Sequence, residues 1–363
     1  MKNCVHIREI TDSQSWQALG ELWDSLLQHS KVDCLFLTWD WIDSWMSVYG
    51  DGGESLVLVA EDATGTLLGV AAMMIDAASR RLPTRTIKRL TLIGQKADTA
   101  SEYLDWIILK GREEEIARTF CHHLLTDCAH RWDVLEFGIM RADSPVLPVL
   151  RSMLGHAMQE LHRPPAPFMA LPDGWETFMA ERSSHYRRRY GKIRQRLPTK
   201  RLVAGTDISV AEGMAHIREL NLGRWADSGT SFKSESYCRF HEAVAERMHQ
   251  KGRLMMVFLE LDDTILCGRY DFNYAGKAWC FQGGWSREWE SYSIGRVMMG
   301  EIMRYSIELG LKEYDFLAGA ASYKDEWATG ARDILFLHAW RPGSLRGFVW
   351  QQLRRLRQYL TSN

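Results

Sequence analysis

The chain has 363 residues, 46% hydrophobic and 25% charged, which are the values of a soluble globular protein long enough for two domains with substantial cores. Its 45 Lys and Arg against 46 Asp and Glu leave a formal net charge of −1, which excludes an overall field drawing it to nucleic acid or membrane. Any basic partner site must therefore be local.

The start, MKNCVHIREITDS, is too polar for a signal peptide, and no apolar run approaches the ~20 residues of a membrane span. Seven cysteines, an odd number without a C-x-x-C pair, lie mostly in apolar runs and read as reduced thiols, so the expected compartment is the cytoplasm. Val5 to Ile10 reads as a strand, and Thr11-Asp12-Ser13 caps a helix over 15–29. The next helix carries Trp39, Trp41 and Trp45. Three indoles so close can line a sugar cleft or fill a core, and the core is the commoner case. Strands follow at 55–61, 66–75, 86–93 and 103–109, then a helix over 113–130, a strand over 134–137 and a helix over 145–160. The helix contains CHHLLTDCAH, whose cysteines fall on an apolar stripe and whose histidines form no i, i+4 pair, so no metal site is expected. The loop before it, Lys110-Gly111-Arg112, is too short to cradle a pyrophosphate.

Pro164-Pro165-Ala166-Pro167 predicts a domain boundary. The order of elements then repeats coarsely, with helices over 175–197, 210–225 and 235–251 and strands over 254–260, 264–271 and 277–282. The segment ERSSHYRRRYGKIRQRLPTKR, which ends the first of these helices and runs past it, holds nine basic residues and one acid, with Tyr186, Tyr190, Ile193 and Leu197 as the apolar stripe of the helix. Arg187, Arg188 and Lys192 either form a solvated face or meet an anion, which could be a nucleotide-sugar or lipid pyrophosphate, an anionic bilayer or RNA. Residues 344–361 form a second basic amphipathic helix. It suits a membrane surface or, more commonly, docking on its own domain.

Between them lies the stretch from Trp279 to Trp327. Its strand ends at Gly283-Gly284, a loop reaches SYSIG, and a helix starts with Ser293 as the N-cap. Small residues running into a helix N-terminus suit a pyrophosphate. Gly295 allows close approach, and Arg287 and Arg296 flank the loop with charge. The alternative is an ordinary crossover with a glycine in its turn. Gly310 ends the helix, 313–317 returns as a strand, and Gly319 opens a loop carrying Tyr323, Lys324 and Asp325.

The segments SYSIG, GLKEYDFLAGAASYKDEWA and YRRRYGKIRQRL resemble the CelD-type acetyltransferases, a GNAT branch associated with cellulose and exopolysaccharide gene clusters. The arrangement is also similar to the Fem-type peptidyltransferases, which share the YK pair. The chain departs from the family in having Ile294 where proline is common, and it lacks the QxxGxG signature of single-domain GNAT enzymes. The resemblance implies an α+β protein of two tandem GNAT-like domains, each a mixed, mostly antiparallel sheet flanked by helices. The expected boundaries are 1–165 without a cofactor, 166–340 with an acyl-CoA site, and 341–363 as the tail helix. It implies acyl transfer, acetyl in the first instance, to an amine or hydroxyl of a sugar or cell-envelope precursor, with acetyl-CoA or another acyl-CoA as co-substrate and no metal.

On this reading Gln282, Arg287, Ser293, Ile294, Gly295 and Arg296 hold the acyl-CoA. The backbone at 280–282 would carry its pantetheine arm. Asp315 is the expected base, Tyr323 the acid that meets the leaving thiolate, and Lys324 a ligand of the acceptor. Arg187, Arg188, Lys192, Arg224, Trp225 and Trp285 are expected on the acceptor side. The acceptor is a small molecule or polymer precursor, nucleic acid is not expected, and peripheral contact with a membrane is compatible with the basic helices. The rival readings are a Fem-like transferase using aminoacyl-tRNA and a non-catalytic scaffold of polysaccharide assembly.

Overall fold

The computed structural model describes residues 5–77, 86–95, 101–224, 231–319 and 322–361. The chain forms two compact units, Met1–Pro164 with Asp333–Asn363, and Pro165–Arg332. In chain order the first half contributes β1 (His6–Ile10), α1 (Ser13–Gln28), α2 (Trp39–Tyr49), β2 (Glu54–Glu61), β3 (Leu67–Ala77), β4 (Lys88–Leu92), β5 (Ile107–Ile108), α3 (Glu113–Leu125), β6 (Val134–Arg141), α4 (Leu147–Leu154) and β7 (Met158–Ala170). The second half contributes α5 (Trp175–Glu181), α6 (Ser184–Arg196), β8 (Lys200–Val203), α7 (Val210–Arg224), α8 (Glu235–Gln250), β9 (Leu254–Leu261), β10 (Thr264–Tyr274), β11 (Lys277–Trp285), α9 (Ile294–Glu308), β12 (Glu313–Asp315) and α10 (Ser322–Trp327). Finally come β13 (Gly330–Trp340) and α11 (Leu345–Thr361).

The first unit's sheet runs β1-β2-β3-β4-β6-β13. Its neighbours are antiparallel except for β4 and β6, where Arg89 faces Val134 in a parallel pair. Side-chain chemistry sets the local ends. The Asp12 carboxylate accepts the Ser15 amide at 2.8 Å and so caps α1. Trp41 and Trp45 are 0% and 2% exposed, and Trp39 packs its ring 4.8 Å from that of Trp16. The indoles are therefore core, each packed on other aromatic rings, Trp39 on Trp16, Trp41 on Phe36 and Trp45 on Tyr49, which leaves no ring face for a sugar cleft.

The second unit repeats the plan as β8-β9-β10-β11-β12-β7, again with one parallel pair, β11 with β12. Its core is built from strand residues such as Met255, Val257 and Leu259 against Ile294, Val297 and Ile302 of α9. The helix expected over 175–197 is two helices. Chain direction changes at Ser183, whose hydroxyl accepts the Tyr186 amide at 3.1 Å and starts α6.

Several expectations need correction. The 103–109 segment is a strand only over Ile107–Ile108, because Tyr103 takes a left-handed φ of 56°. The helix expected over 145–160 stops at Leu154, and β7 runs straight through the proline cluster. Proline restricts a strand less than a helix interior, since it removes one donor without blocking extended φ. The division into 166–340 and 341–363 is also displaced. From Ile334 to Trp340, β13 pairs antiparallel with β6, so residues 333–363 join the first unit. Six of the cysteines are described, and all six are free and buried.

Candidate functional site

In the second unit β11 and β12 run together only over Lys277–Trp279 and Glu313–Asp315. Beyond that β12 ends while β11 continues to Trp285 beside β10. Gly283 and Gly284 do not stop the strand as expected. They let neighbours approach: a Cβ on Gly284 would lie 2.7 Å from the Leu220 carbonyl carbon of α7. Beside the end of β11 is a cavity of about 250 Å³, lined among others by Arg224, Arg269, Trp285, Gly295, Arg296 and Tyr323.

A 3₁₀ turn over Arg287–Tyr292 leads from β11 into α9, and Ser293 makes the corner in the left-handed region, φ 57° and ψ 36°. That geometry corrects the N-cap expectation. The Ser293 hydroxyl does not cap the helix but accepts the Arg189 guanidinium at 3.0 Å. The amides of Ile294 and Gly295, in the first turn, have no partner within the helix. The Ile294 side chain is fully buried and pins this turn to the core. A Cβ on Gly295 would touch the Trp285 ring at 3.5 Å, so the glycine keeps the space above the indole open. No acid lies in the first turn of α9. Arg296 there pairs with Glu326 at 2.8 Å.

Trp285 is the floor of this arrangement. The Arg224 guanidinium, from the end of α7, lies 3.3 Å from its ring centroid. Burial pulls the Arg224 pKa down to about 10, so the cavity holds a cation at a cost that an anionic ligand would relieve. Tyr323, 37% exposed, enters from α10, and partial desolvation, followed by the nearby Cys280, raises its phenol pKa.

Below the cavity lies a polar cluster that sequence reasoning missed. Arg269 donates to Asp271 through Nε at 3.2 Å and Nη2 at 2.5 Å, and Nη2 also lies 2.9 Å from Cys280 Sγ. Tyr314 donates its hydroxyl to Asp271 at 2.5 Å, and the Phe281 amide donates at 2.9 Å, where the register of β10 and β11 slips. Asp271 is completely buried, and its four donors satisfy it. The available signal was Arg269 and Asp271 two residues apart, on one face of the otherwise apolar strand TILCGRYDFNY.

Other expected site residues stand elsewhere. Asp315, 1% exposed, accepts the Leu317 amide at 2.8 Å and Arg332 Nη1 at 3.1 Å, and it does not line the cavity. Arg332 also pairs with Glu313. Lys324, expected as a ligand of the acceptor, is 8% exposed and donates to the carbonyls of Leu317 and Ala318 at 3.2 and 2.7 Å. It holds the turn after β12. Neither Asp315 nor Lys324 has the free reach that its expected role requires. Gln282 bonds Asn221 and Tyr237 at 3.4 and 3.3 Å, away from the cavity lining. Arg287 donates to the Arg224 carbonyl at 3.1 Å, closing the end of α7.

Arg187 caps α5 through the carbonyls of Ala180 and Arg182 at 3.0 and 2.7 Å, so it is spent on structure. Arg188 and Lys192 are exposed and do not line the cavity. Trp225 lies outside the described residues. In the first unit Glu9, His123 and Cys128 bring ligand atoms within 4.8 Å of one another. Arg131 donates to both oxygens of that Glu9 carboxylate at 2.8 Å, which organises the group around an arginine.

Residues 180–325 match the family model described as Acetyltransferase (GNAT) domain. No curated protein matches the chain. Among solved structures, FemX is 12% identical with a TM-score of 0.60, over 90% of this chain and 96% of that one. A tandem GNAT protein from the clavulanic acid biosynthesis pathway is 11% identical with a TM-score of 0.50, over 93% and 99%. L-PGS from Bacillus licheniformis is 11% identical with a TM-score of 0.50, over 86% and 95%. At such identities the likeness concerns the fold, which is α+β and GNAT-like, with a mixed sheet flanked by helices. Within that fold residues 180–325 form an acyltransferase domain of the GNAT type, and the cavity lies inside it.

Proposed function

We propose that the second unit transfers an acyl group, in the first instance acetyl, from acyl-CoA to an amine or hydroxyl of an anionic sugar or cell-envelope precursor. The observation that carries this reading is the N-terminus of α9, without an acid in its first turn, which faces a cavity lined by β10, the end of β11 and α10. GNAT domains use acyl-CoA. Here the amides of Ile294 and Gly295 suit a pyrophosphate, with Arg296 adding charge beside them. The edge of β11 beyond Trp279 offers backbone groups to a pantetheine arm.

A thioester is already activated, so holding an acceptor near its carbonyl supplies much of the rate. Tyr323, a phenol whose pKa is raised, donates its proton to the departing thiolate. Arg224, stacked on Trp285, meets the acceptor's anionic group. Asp315 and Lys324 are assigned to the framework that holds α10.

Calorimetric titration of the full chain with acetyl-CoA tests the reading. Binding is expected, and charged tRNA should not displace it. In a folded Gly295→Val variant, crowding the amides against Trp285 should weaken the affinity about ten- to hundred-fold, the worth of one charge-assisted hydrogen bond. Displacement by charged tRNA would favour aminoacyl transfer of the Fem-like kind. No acetyl-CoA binding at all, with no effect of charged tRNA, would favour the non-catalytic scaffold.

A further inference from the structure

Helix α11 is docked the opposite way round from an ordinary amphipathic helix. Its small and polar side faces the first unit. A Cβ on Gly347 would lie 2.2 Å from the Asp133 carbonyl oxygen, the Ser344 hydroxyl donates to Asp133 at 2.9 Å, and Gln351, 2% exposed, reaches Gln159 at 3.2 Å. Trp350 adds the apolar anchor, packing on the cluster of Ile87, Val134, Ala157 and Trp340. The other side points outward, with one edge of Phe348 resting on the buried Trp340 at 5.6 Å between ring centroids. Leu345 is 76% exposed, Phe348 43%, Val349 45% and Leu353 38%, at spacings of three, four and eight residues that make one stripe. The sequence continues that spacing with Leu356 and Leu360.

Burying apolar area is the main drive for docking a helix, so four exposed apolar side chains on one stripe need a second surface. Charge narrows the choice. From residue 334 to the end there are five arginines, at 341, 346, 354, 355 and 357, and no Asp or Glu, in a chain whose net charge is −1. An isologous dimer through this stripe would set the arginines of one copy beside those of the other. An anionic bilayer instead accepts both features, apolar side chains in the acyl boundary and guanidinium groups among the headgroups.

We propose that α11 is a membrane-surface helix, which lays Leu345, Phe348, Val349 and Leu353 into the interface of an anionic bilayer. Its docking through Gly347 and Gln351 fixes that stripe to the body of the first unit. This inference is independent of the acyl-transfer reading, because no residue in it touches the cavity of the second unit.

The test is flotation of the full chain with vesicles of phosphatidylcholine alone and with vesicles containing phosphatidylglycerol. Binding to the anionic vesicles should exceed binding to the neutral ones and should fall on adding salt. The double variant Leu345→Gln, Val349→Gln changes exposed positions only. It should keep the wild-type melting temperature and lose most vesicle binding. Absence of binding to anionic vesicles, or equal binding by the double variant, would overturn the proposal. So would a wild-type dimer in light scattering that the double variant dissociates, since the stripe would then belong to a second copy.

Discussion

Both units place one parallel strand pair in an otherwise antiparallel sheet, β4 with β6 in the first and β11 with β12 in the second. What happens where each pair diverges is different. In the first unit the Gln95 amide closes the gap, donating to the Glu136 carbonyl at 3.0 Å and accepting the Gly138 amide at 2.7 Å. The helix that follows, α3, begins with Glu113, Glu114 and Glu115. Glu113 accepts the Gly111 amide at 2.9 Å and pairs with Lys31 at 3.0 Å, so a carboxylate already occupies that helix end. In the second unit the corresponding gap is the cavity, and α9 begins with serine, glycine and arginine in place of acids. A phosphate brought to α3 would meet three carboxylates in the first turn, whereas at the first turn of α9 it meets amides and Arg296, which shares its charge with Glu326. One strand plan thus carries two chemistries, set by a handful of side chains at the divergence.

The polar groups beside the two gaps sharpen the contrast, and they give the largest expected effect. In the first unit Arg89 pairs with Asp76 at 2.7 Å and Glu136 at 3.2 Å, with the Arg89 and Asp76 side chains about a third exposed. In the second, Asp271 is wholly buried around Arg269. Removing one partner of a buried pair strands the other, so Asp271→Ala should cost about 3–5 kcal/mol. The half-exposed pair is screened by water, and Asp76→Ala should cost only about 0–1 kcal/mol. Urea denaturation of both variants measures the difference. Similar losses would mean that the cluster beneath the cavity is no more than a surface-type pair.

A smaller effect tests the plug itself. Gln95→Ala leaves the Glu136 carbonyl and the Gly138 amide without their partner, which should destabilise the chain by about 1–3 kcal/mol. Acetyl-CoA stoichiometry by calorimetry should remain at one site, because the three glutamates still guard α3. A second binding event in this variant would mean that the glutamine alone had kept the first unit empty.

Much of this was legible in the sequence where the signal is local. The periodicity of Ile294, Val297, Met298 and Ile302 placed α9 and its face. Long-range matters were not. Nothing near Ser293 announces its left-handed φ, which comes from the 3₁₀ turn that it ends. Asp315 and Lys324 sit beside a catalytic-looking loop, yet their partners, Arg332 and the 317–318 carbonyls, are fixed only once α10 folds back as a helix. The proline cluster marked the division between the units, which falls between Pro164 and Pro165, but the strand that crosses it was hidden, because its pairing partners lie far along the chain, as Phe168 with Asp315. The Arg269 and Asp271 pair was visible as an i, i+2 spacing, but its depth was not.

The effect smallest at any one half-unit step of pH concerns a buried titratable group in each unit, of opposite kind. Asp105 in the first unit accepts the Trp106 amide at 2.7 Å, and burial pushes its pKa up from 3.8 to about 7. His241 in the second stacks on Tyr237 with centroids 4.2 Å apart, and burial drops its pKa from 6.5 to about 3. Between roughly pH 4 and 6.5 the folded chain therefore holds a proton on Asp105 that the unfolded chain has released. Over the same window it lacks one on His241 that the unfolded chain has gained. The aspartate's contribution to stability is present at low pH and is lost as pH rises towards its folded pKa. The histidine's is present above 6.5 and is lost as pH falls towards 3. Each reaches about 1.4 kcal/mol per pH unit with opposite sign, so together they nearly cancel in the wild type. Asp105→Asn should consequently make stability climb more steeply with pH across this window, and His241→Phe should make it decline. Urea denaturation at half-unit intervals from pH 4 to 7 reads both slopes. Variant profiles parallel to the wild type would show that the group in question is solvated enough to titrate alike in both states.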